Sequence, residues 1–547
     1  MKTTEFNLLD EKWILVRKND CTVTELSVTD VLLHAHEFKE LAGELPTQDI
    51  SILRLLLAIL QTVFSRYTVS GERQDIADED DAIDRWKELW DAGRFPEKPI
   101  REYLAQWHDR FWLFHPERPF YQTNAASTEK TAAWFPAAKL NSAISESNHK
   151  PRLFSSRAGE QKSNLTYAEV ARWLVHINSF DDSSNERGKQ MKTHIGVAWL
   201  GNLGVISARG KNLFEDLMLN LVMCDANYEF QGAEKPCWEN EEQSDEPRTE
   251  ICQPNCLSRL YTLQSRRISL HSENGVVTGC YIYGGDFFSK EDALTEPMTL
   301  WRVAKKEKNL DRCPILPKQH INSNYMWREF SSCFCDSKET PRPGIVRWIE
   351  YLREKDCIAA NMLVSFRICG VRYDTMKSCY ENIFSDSLTF HTDLLTDLGR
   401  RWQNTITNEV SQCDELAKLL SLLARSLEIA SGSSRETAGK SFPVQNIREQ
   451  FYFSVDVPFR EWLLSIDPHW EIGSDEEFEC VQHWHDTVKT IASRLADELV
   501  KEAGSAAIIG HMVKERDKPD EYYSAPKALG FFKIGLNKLY PKEEHNA

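Results

Sequence analysis

The strongest constraint on the fold is the apolar segment at residues 50–67, where hydrophobic side chains occur on nearly every side of a helix. A surface helix carries one apolar stripe, whereas a helix that is apolar all round must be covered on all sides. The segment therefore predicts a buried helix, with Thr47 or Asp49 as its candidate N-terminal cap. Other parts of the chain must supply the elements that cover it.

The length of the chain predicts more than one domain. Single hydrophobic cores rarely grow beyond about 250–300 residues, and this chain has 547 residues, 41% of them hydrophobic. The N-terminus shows no basic region followed by an apolar run, and no window reaches the roughly 18 apolar residues of a membrane span. We therefore expect a soluble, cytoplasmic protein with no membrane contact, whose 14 scattered cysteines are thiols.

The order of patterns along the chain predicts an α+β fold. Residues 260–270 and 275–283 have the composition of two strands separated by a turn. From about residue 345 the pattern is helical almost to the end. We therefore predict a mixed α/β domain at residues 1–374, followed by an antiparallel helical bundle at residues 375–547.

Positive charge is concentrated at residues 139–211. This segment holds 11 Lys and Arg against 6 Asp and Glu, in a chain whose formal net charge is -17. An acidic chain does not coat DNA indiscriminately, but phosphate binding depends on charge within a Debye length of about 8–10 Å. The segment is therefore either a solvated insertion or a loop whose basic side chains reach phosphates.

Two groups of residues are candidates for a metal site. They are Cys252 and Cys256 with Cys237 and Cys280, and His483, His485 and Asp486. The cysteines lack the two tight pairs usual in structural zinc sites, and histidines two residues apart lie on different faces of a helix. No nucleophile elbow or zinc-protease signature is present. We therefore predict a binding or scaffolding protein with no metal and no cofactor, and keep a cytosolic metal-dependent hydrolase or nuclease as the alternative.

Four stretches of the chain resemble the CasA family, the large subunits of the type I-E CRISPR surveillance complex Cascade. They are FNLLDEKWILV (residues 6–16), LAGELPTQ (41–48), HPERPFYQT (115–123), and GNLGVI followed by GKNLFEDLMLNL (201–206 and 210–221). Asp216 stands where the family pattern has Thr. Residues 370–376 and the terminal bundle continue the resemblance more weakly.

The resemblance implies a mixed α/β N-terminal domain, a C-terminal four-helix bundle and a role that is not enzymatic. Members of the family act with other Cascade subunits and a crRNA. They recognise the protospacer-adjacent motif (PAM) in double-stranded DNA, help to open the duplex, hold the displaced strand and recruit a helicase–nuclease. Guide pairing reads the target sequence, while the protein reads a short motif and the backbone.

The resemblance also implies where nucleic acid is contacted. It assigns a loop for the crRNA end and PAM region to about residues 143–160, a minor-groove loop to 183–192, a lysine finger to an exposed tip at 284–290, and a strand-separating wedge to 372–375. The candidate contact residues are Lys150, Arg152, Phe154, Arg157, Lys162, Lys189, Lys290, Arg372 and Tyr373.

The chain departs from the family pattern within these segments. The minor-groove loop retains only Gly188. The Gln/Asn pair of the wedge is absent, so Tyr373 is expected to stack on a base instead. Lys305 or Lys306 is the substitute for Lys290 as the lysine finger. The region where some members bind zinc through clustered cysteines contains only Cys280 here, so no metal is expected.

Overall fold

The computed structural model is a mixed α+β protein, which confirms the predicted fold class. The described residues are 4–123, 133–144, 157–183, 196–224, 234–241, 244–305, 312–320, 325–360, 362–439, 442–513 and 520–541. The chain divides into two compact units: residues 1–324 with 332–387, and residues 325–331 with 388–547. The boundary between residues 374 and 375 stays a prediction.

The helices and strands follow one another along the chain in a mixed order. The helices are α1 (Val28–Leu33), α2 (Pro46–Phe64), α3 (Glu79–Ala92), α4 (Glu97–Trp107), α5 (Glu160–Ser163), α6 (Tyr167–Phe180), α7 (Leu213–Asn220), α8 (Leu257–Tyr261), α9 (Phe330–Phe334), α10 (Gly344–Glu354), α11 (Arg400–Ala430), α12 (Phe442–Ser465), α13 (Asp475–Glu502), α14 (Gly504–Ile509) and α15 (Ala525–Leu539). The strands are β1 (Glu5–Asn7), β2 (Ile14–Lys18), β3 (Val23–Leu26), β4 (Phe38–Leu41), β5 (Trp112–Phe114), β6 (Ala133–Pro136), β7 (Val205–Arg209), β8 (Arg266–Glu273), β9 (Val276–Gly284), β10 (Leu300–Val303), β11 (Ile315–Lys318), β12 (Leu363–Tyr373), β13 (Tyr380–His391), β14 (His511–Val513) and β15 (Glu521–Tyr523). They form small sheets, in the orders β1-β5, β3-β2-β4, β6-β9-β8, β13-β12-β7, β10-β11 and β14-β15.

Helix α2 confirms the predicted buried helix of the first unit, since nearly all of its side chains are buried. The predicted cap is wrong. Leu45 is the N-cap, and Pro46 begins the first turn, where its missing N–H costs no helical hydrogen bond. Thr47 lies inside that turn, and Asp49 Oδ1 accepts a hydrogen bond from the Gly43 backbone N–H at 2.7 Å.

Among the described residues, α2 is the helix that is long and apolar enough to cross a membrane. Its most apolar window has a mean hydropathy of 1.3, and 94% of that window is buried inside the protein. The core helix of a folded domain meets the same criteria, so the length and composition of α2 are weak evidence for a membrane span.

The hairpin of β8 and β9 confirms the predicted strand pair. Asn274 and Gly275 form its turn with φ angles of 51° and 80°, the left-handed values that a two-residue hairpin turn requires. The first strand begins later than predicted, because residues 257–261 form α8. The Glu234 carboxylate accepts a hydrogen bond from the Ser258 N–H at 2.7 Å and so stabilises the start of that helix.

The prediction of a helical chain from residue 345 almost to the end is wrong at residues 363–391. Strands β12 and β13 lie there and are joined by a turn at residues 374–379. Val364, Phe366 and Ile368 are buried and alternate with half-exposed residues, which is the two-residue period of a strand. Strand β12 also pairs antiparallel with β7, about 160 positions earlier in the chain.

The second unit is built mainly from four long helices. Helix α11 packs against α12, α13 and α15, and α13 also contacts α12 and α15. Its core contains stacked aromatic rings: the centroids of Trp462 and Trp484 lie 5.2 Å apart. Trp484 Nε1 donates to Glu409 Oε2 at 2.9 Å, which satisfies the polar atom of a buried indole.

Candidate nucleic-acid interface

Some of the predicted contact residues lie outside the described residues. They are Lys150, Arg152, Phe154 and Lys189, and the alternative Lys306. Their nucleic-acid contacts stay predictions.

Arg157 is held by two carboxylates of the first unit. Its Nη2 lies 2.7 Å from Glu169 Oε1 and 3.5 Å from Glu44 Oε2. Glu169 also completes a capping box with Thr166 at the start of α6. The pairing therefore ties Arg157 to a helix terminus and offsets much of its charge. Lys162, in the short helix α5, is half-buried.

Lys290 lies at the surface, directly after a chain segment that packs on the protein. Its Nζ donates a hydrogen bond to Asn202 Oδ1 at 2.6 Å. Desolvation lowers the pKa of Lys290 to about 8, and the charges of Lys377 and Arg248 act in the same direction. The predicted exposed tip at 284–290 is wrong up to residue 288, because Gly285 and Phe288 are buried and only residues 289 and 290 are exposed.

The turn between β12 and β13 carries exposed side chains at the predicted wedge. Arg372 lies at the end of β12, and its Nε pairs with Glu381 Oε2 at 2.9 Å. Met376, near the middle of the turn, is 74% exposed. Lys377 beside it is also exposed and has a positive φ of 55°. The turn therefore presents an apolar side chain next to a cation.

The structure contradicts base stacking by Tyr373 in this arrangement. The ring is only 9% exposed and packs against Tyr380 with 5.5 Å between centroids. Its hydroxyl donates a hydrogen bond to the Phe180 carbonyl at the end of α6. Tyr373 points into the protein because neighbouring residues of a strand alternate between faces, and here the exposed face belongs to Arg372.

Three segments that are far apart in sequence meet beside this turn. The Ser183 backbone N–H donates to the Lys377 carbonyl at 2.7 Å, so the first residue of the predicted minor-groove loop lies at the turn. Arg266, at the start of β8, donates to the carbonyls of Asp182 at 2.8 Å and Gly196 at 2.9 Å. Lys290 lines a cleft together with Gly196 and Arg266. The described residues that flank the predicted minor-groove loop therefore lie close both to Lys290 and to the predicted wedge.

The described residues of this part of the first unit line a larger and a smaller cavity. The larger, about 430 Å³, is lined by residues of the β12–β13 turn and by Leu203, Gln319, His320 and Phe384. The smaller, about 100 Å³, is a cleft lined by Asn202, Arg248, Phe287 and Lys290 among others. Concave surfaces with a few polar groups are the usual form of ligand sites.

Sequence reasoning missed Arg248, Met376 and Lys377. Arg248 lies in a polar segment without a motif, and only the fold brings it near Lys290. Met376 and Lys377 lie directly after the predicted wedge at 372–375, and the Asp and Thr before them are typical of turns. A turn prediction there would have identified both as exposed.

The two groups of candidate metal ligands do not assemble in the structure. Among the described residues, no group of three or more His, Cys, Asp or Glu side chains is placed to hold a metal ion. His485 Nε2 instead lies 3.0 Å from Glu409 Oε1, and Asp486 accepts a hydrogen bond from Gln482. The hydrolase or nuclease alternative therefore gains no support from the described geometry.

Comparison with known proteins gives consistent matches. The family model described as CRISPR-associated protein Cse1 matches residues 7–495. The CRISPR-associated protein CasA/Cse1 of Thermus thermophilus is 35% identical over 221 residues, a match that spans only 40% of this chain and 40% of that relative.

Solved structures agree with the family match over nearly the whole chain. The crystal structure of Thermobifida fusca Cse1 has a TM-score of 0.81 at 28% identity and covers 98% of both chains. A chain of a CRISPR RNA-guided surveillance complex has a TM-score of 0.70 at 15% identity, covering 98% of this chain and 100% of that one, and shows a shared fold. Because the family model matches most of the chain, the protein belongs to the CRISPR-associated protein Cse1 (CasA) family.

Proposed function

We propose that this chain is the large subunit of a Cascade-type, RNA-guided CRISPR surveillance complex. It acts in the cytoplasm, without catalysis, together with other Cascade subunits and crRNA. It recognises the PAM in double-stranded DNA, helps to open the duplex, holds the displaced strand and recruits the helicase–nuclease. Its four long C-terminal helices serve as the antiparallel four-helix bundle that the family resemblance implies.

The observation that carries the proposal is the meeting of three segments at the β12–β13 turn. Ser183, Lys290 and Lys377 come from regions about 90–190 residues apart. A backbone hydrogen bond joins Ser183 to Lys377, and Lys290 lines a cleft with Arg266, which donates a hydrogen bond to the Asp182 carbonyl beside Ser183. A site that reads a short motif needs several contacts on a few adjacent base pairs. Separate loops held at one place supply such contacts.

The side chains at this place suit a duplex that is being opened. Lys290 and Lys377 are exposed cations that can neutralise phosphates or enter a narrow minor groove. Met376 is an exposed apolar side chain at a turn, the type of residue that proteins insert between base steps. We propose that Met376, rather than Tyr373, acts as the wedge.

The test is a binding assay with the reconstituted complex, with and without this chain, on target duplexes whose flanking motif is permuted. We expect the chain to add affinity that depends on the flank. Lys290→Ala should weaken this binding and lower the salt slope by about 0.9, the value for one phosphate contact. Arg101→Ala is the matched control, because Arg101 is 55% exposed and paired with Glu97 on α4. Binding that is indifferent to both chain and flank would overturn the proposal.

A further inference from the structure

A network of buried charges lies directly after the end of α6. It consists of Asp181 and Asp182, Lys139 shortly after β6, and Arg266 at the start of β8. All four side chains are at most 5% exposed. Lys139 Nζ lies 3.5 Å from Asp181 Oδ1 and 3.2 Å from Asp182 Oδ1, and Arg266 Nε lies 2.6 Å from Asp181 Oδ2. Two cations therefore balance two carboxylates, which is the condition under which buried charges are tolerated.

The same network also fixes the backbone of these residues. The Arg266 guanidinium donates to the carbonyls of Asp181 at 3.3 Å and Asp182 at 2.8 Å, and the Arg266 backbone N–H donates to the side-chain carbonyl of Asn178 at 3.1 Å. A guanidinium presents several donors in one rigid plane, whereas an ammonium group is a single compact charge. The chain at residues 178–182 is therefore held by strand β8 as well as by the hydrogen bonds of α6.

The residue before the two aspartates holds the strands of the β12–β13 hairpin. The Phe180 carbonyl accepts hydrogen bonds from the hydroxyls of Tyr373, at the end of β12, and Tyr380, at the start of β13. Both tyrosine side chains are buried, and a buried hydroxyl without a partner is costly. The position of Phe180 therefore fixes both strands where they enter and leave the turn.

The residue after the two aspartates holds the turn itself. Ser183 Oγ lies within hydrogen-bond distance of the carbonyls of Met376, at 3.2 Å, and Lys377, at 2.7 Å. The proposed wedge residue Met376 therefore contacts, through its own carbonyl, the residue that follows the network. A shift of residues 181 and 182 would move the Met376 side chain relative to a bound duplex.

We propose that Arg266 is a positioning residue for duplex opening: it holds Asp181 and Asp182 so that the β12–β13 turn presents Met376 to the DNA. This inference rests on the proposed function, since it explains how the proposed wedge is kept in place. An apolar cluster of the same volume would stabilise the fold as well as buried ion pairs do. It could not donate directed hydrogen bonds to the backbone carbonyls of residues 181 and 182.

The experiment measures duplex opening by the assembled complex, from the fluorescence of a base analogue beside the flanking motif. Arg266→Lys keeps a positive charge near Asp181 but loses the planar donors to the backbone carbonyls. Opening should therefore slow several-fold, while binding of the closed duplex changes little. Arg267→Lys is the matched control, because Arg267 is the next residue of β8, is as deeply buried and pairs with Asp286 instead. Its opening rate should equal that of the wild type.

The same measurement in a Met376→Ser background tests whether Arg266 acts through the turn. Arg266→Lys should cause little further slowing there, because the side chain that it positions is already absent, and the effects of coupled residues are not additive. Ser183→Ala removes only the hydroxyl contacts at the turn. It should show the same pattern with a smaller effect, and it serves if Arg266→Lys fails to fold. A purely structural role would slow opening equally in both backgrounds.

The failure of this inference can be distinguished from the failure of the proposed function. Unchanged opening in both Arg266→Lys and Ser183→Ala, or equal slowing in the two backgrounds, would overturn the inference and leave the proposed function standing. Unchanged opening in Met376→Ser alone would overturn the inference together with the proposed wedge, and leave recognition of the flanking motif standing. A chain that adds no flank-dependent DNA affinity would overturn all of these proposals.

Discussion

Two clusters of charged side chains in the first unit differ in how their charge is balanced. In the paired cluster, beside α7, Arg209 contacts both Glu40 and Asp216, and Glu40 also pairs with Arg17 at 2.9 Å. In the cationic cleft, Arg248 and Lys290 share the lining with an arginine and an aspartate that have partners elsewhere. Carboxylates of the protein pair with the arginines of the first cluster, whereas the lining of the second contains more cations than carboxylates.

Burial acts on both clusters, but its consequence differs. It raises the pKa of Asp216 to about 7, although Arg209 and the Gly210 N–H oppose the shift. It lowers the pKa of Lys290 to about 8 with no opposing carboxylate among its main causes. A protein gains rigidity when its own side chains compensate a buried charge. Where neighbouring charges instead disfavour the charged form of a side chain, a ligand of opposite sign would stabilise that form.

The largest expected effect comes from breaking the paired cluster. Arg209→Ala leaves Glu40 and Asp216 without their shared cation, so the first unit should lose about 3–5 kcal/mol of unfolding free energy. Denaturant unfolding of the full chain, followed by probes in each unit, measures this loss. Arg101→Ala, which removes an exposed pair, should cost less than about 1 kcal/mol. Equal losses of unfolding free energy in Arg209→Ala and Arg101→Ala would show that the paired cluster stabilises the protein no more than an exposed ion pair does.

The next effect is a dependence of stability on pH. Because the pKa of Asp216 is raised from 3.8 to about 7, the folded protein binds this proton more tightly than the unfolded chain does. The resulting stability is present below about pH 4 and is lost as the pH rises through about 7. Asp216→Asn should remove this component, on the order of 3 kcal/mol between about pH 5 and 8. Parallel stability–pH curves for the two proteins would contradict the raised pKa.

A smaller effect is expected at the cationic cleft. The proposed DNA contact of Lys290 requires its charged form, so DNA affinity should fall as the pH rises through about 8. The groups that act on this lysine are Arg248 and Lys377, with Arg266 and Asp286 in the same cleft lining. Lys290→Arg stays charged, and the wild type should lose up to about tenfold more affinity than this variant between about pH 7 and 9. Other titrating groups affect the wild type and Lys290→Arg equally, so their effects cancel in the ratio of the two DNA affinities. A ratio that does not change with pH would contradict the DNA contact of Lys290.

The smallest effect is expected from Met376→Ser. A polar residue at the turn should slow duplex opening several-fold while binding of the closed duplex changes little, because an inserted apolar side chain stabilises base steps as they unstack and the closed duplex has none. Fluorescence of a base analogue beside the flanking motif reports opening. Leu294→Ser is the control, because Leu294 is 43% exposed and lies outside the turn. Equal opening rates for wild type and Met376→Ser would exclude this residue as the wedge.

Local patterns explain what could be predicted from the sequence. The core helix was predicted because its apolar residues lie close together, and the β8–β9 hairpin because Asn274-Gly275 suits a tight turn. The strands at 363–391 were missed, since the alternation of Val364, Phe366 and Ile368 is short and lies between helical regions. The stacking role of Tyr373 was predicted from the family resemblance, which places the wedge at residues 372–375, whereas the face of the strand that its ring occupies depends on the packing of β12.

The sequence by itself determined the family, the α+β class and the buried helix, because periodicity, turn chemistry and motifs are carried by neighbouring residues. Only the tertiary structure decided which charged side chains pair with one another. Arg209 meets Glu40 across 169 positions, and Arg266 meets Asp181 across 85. Such pairs depend on side-chain distances of a few ångström, which chain order does not encode, and charge compensation falls off steeply beyond them.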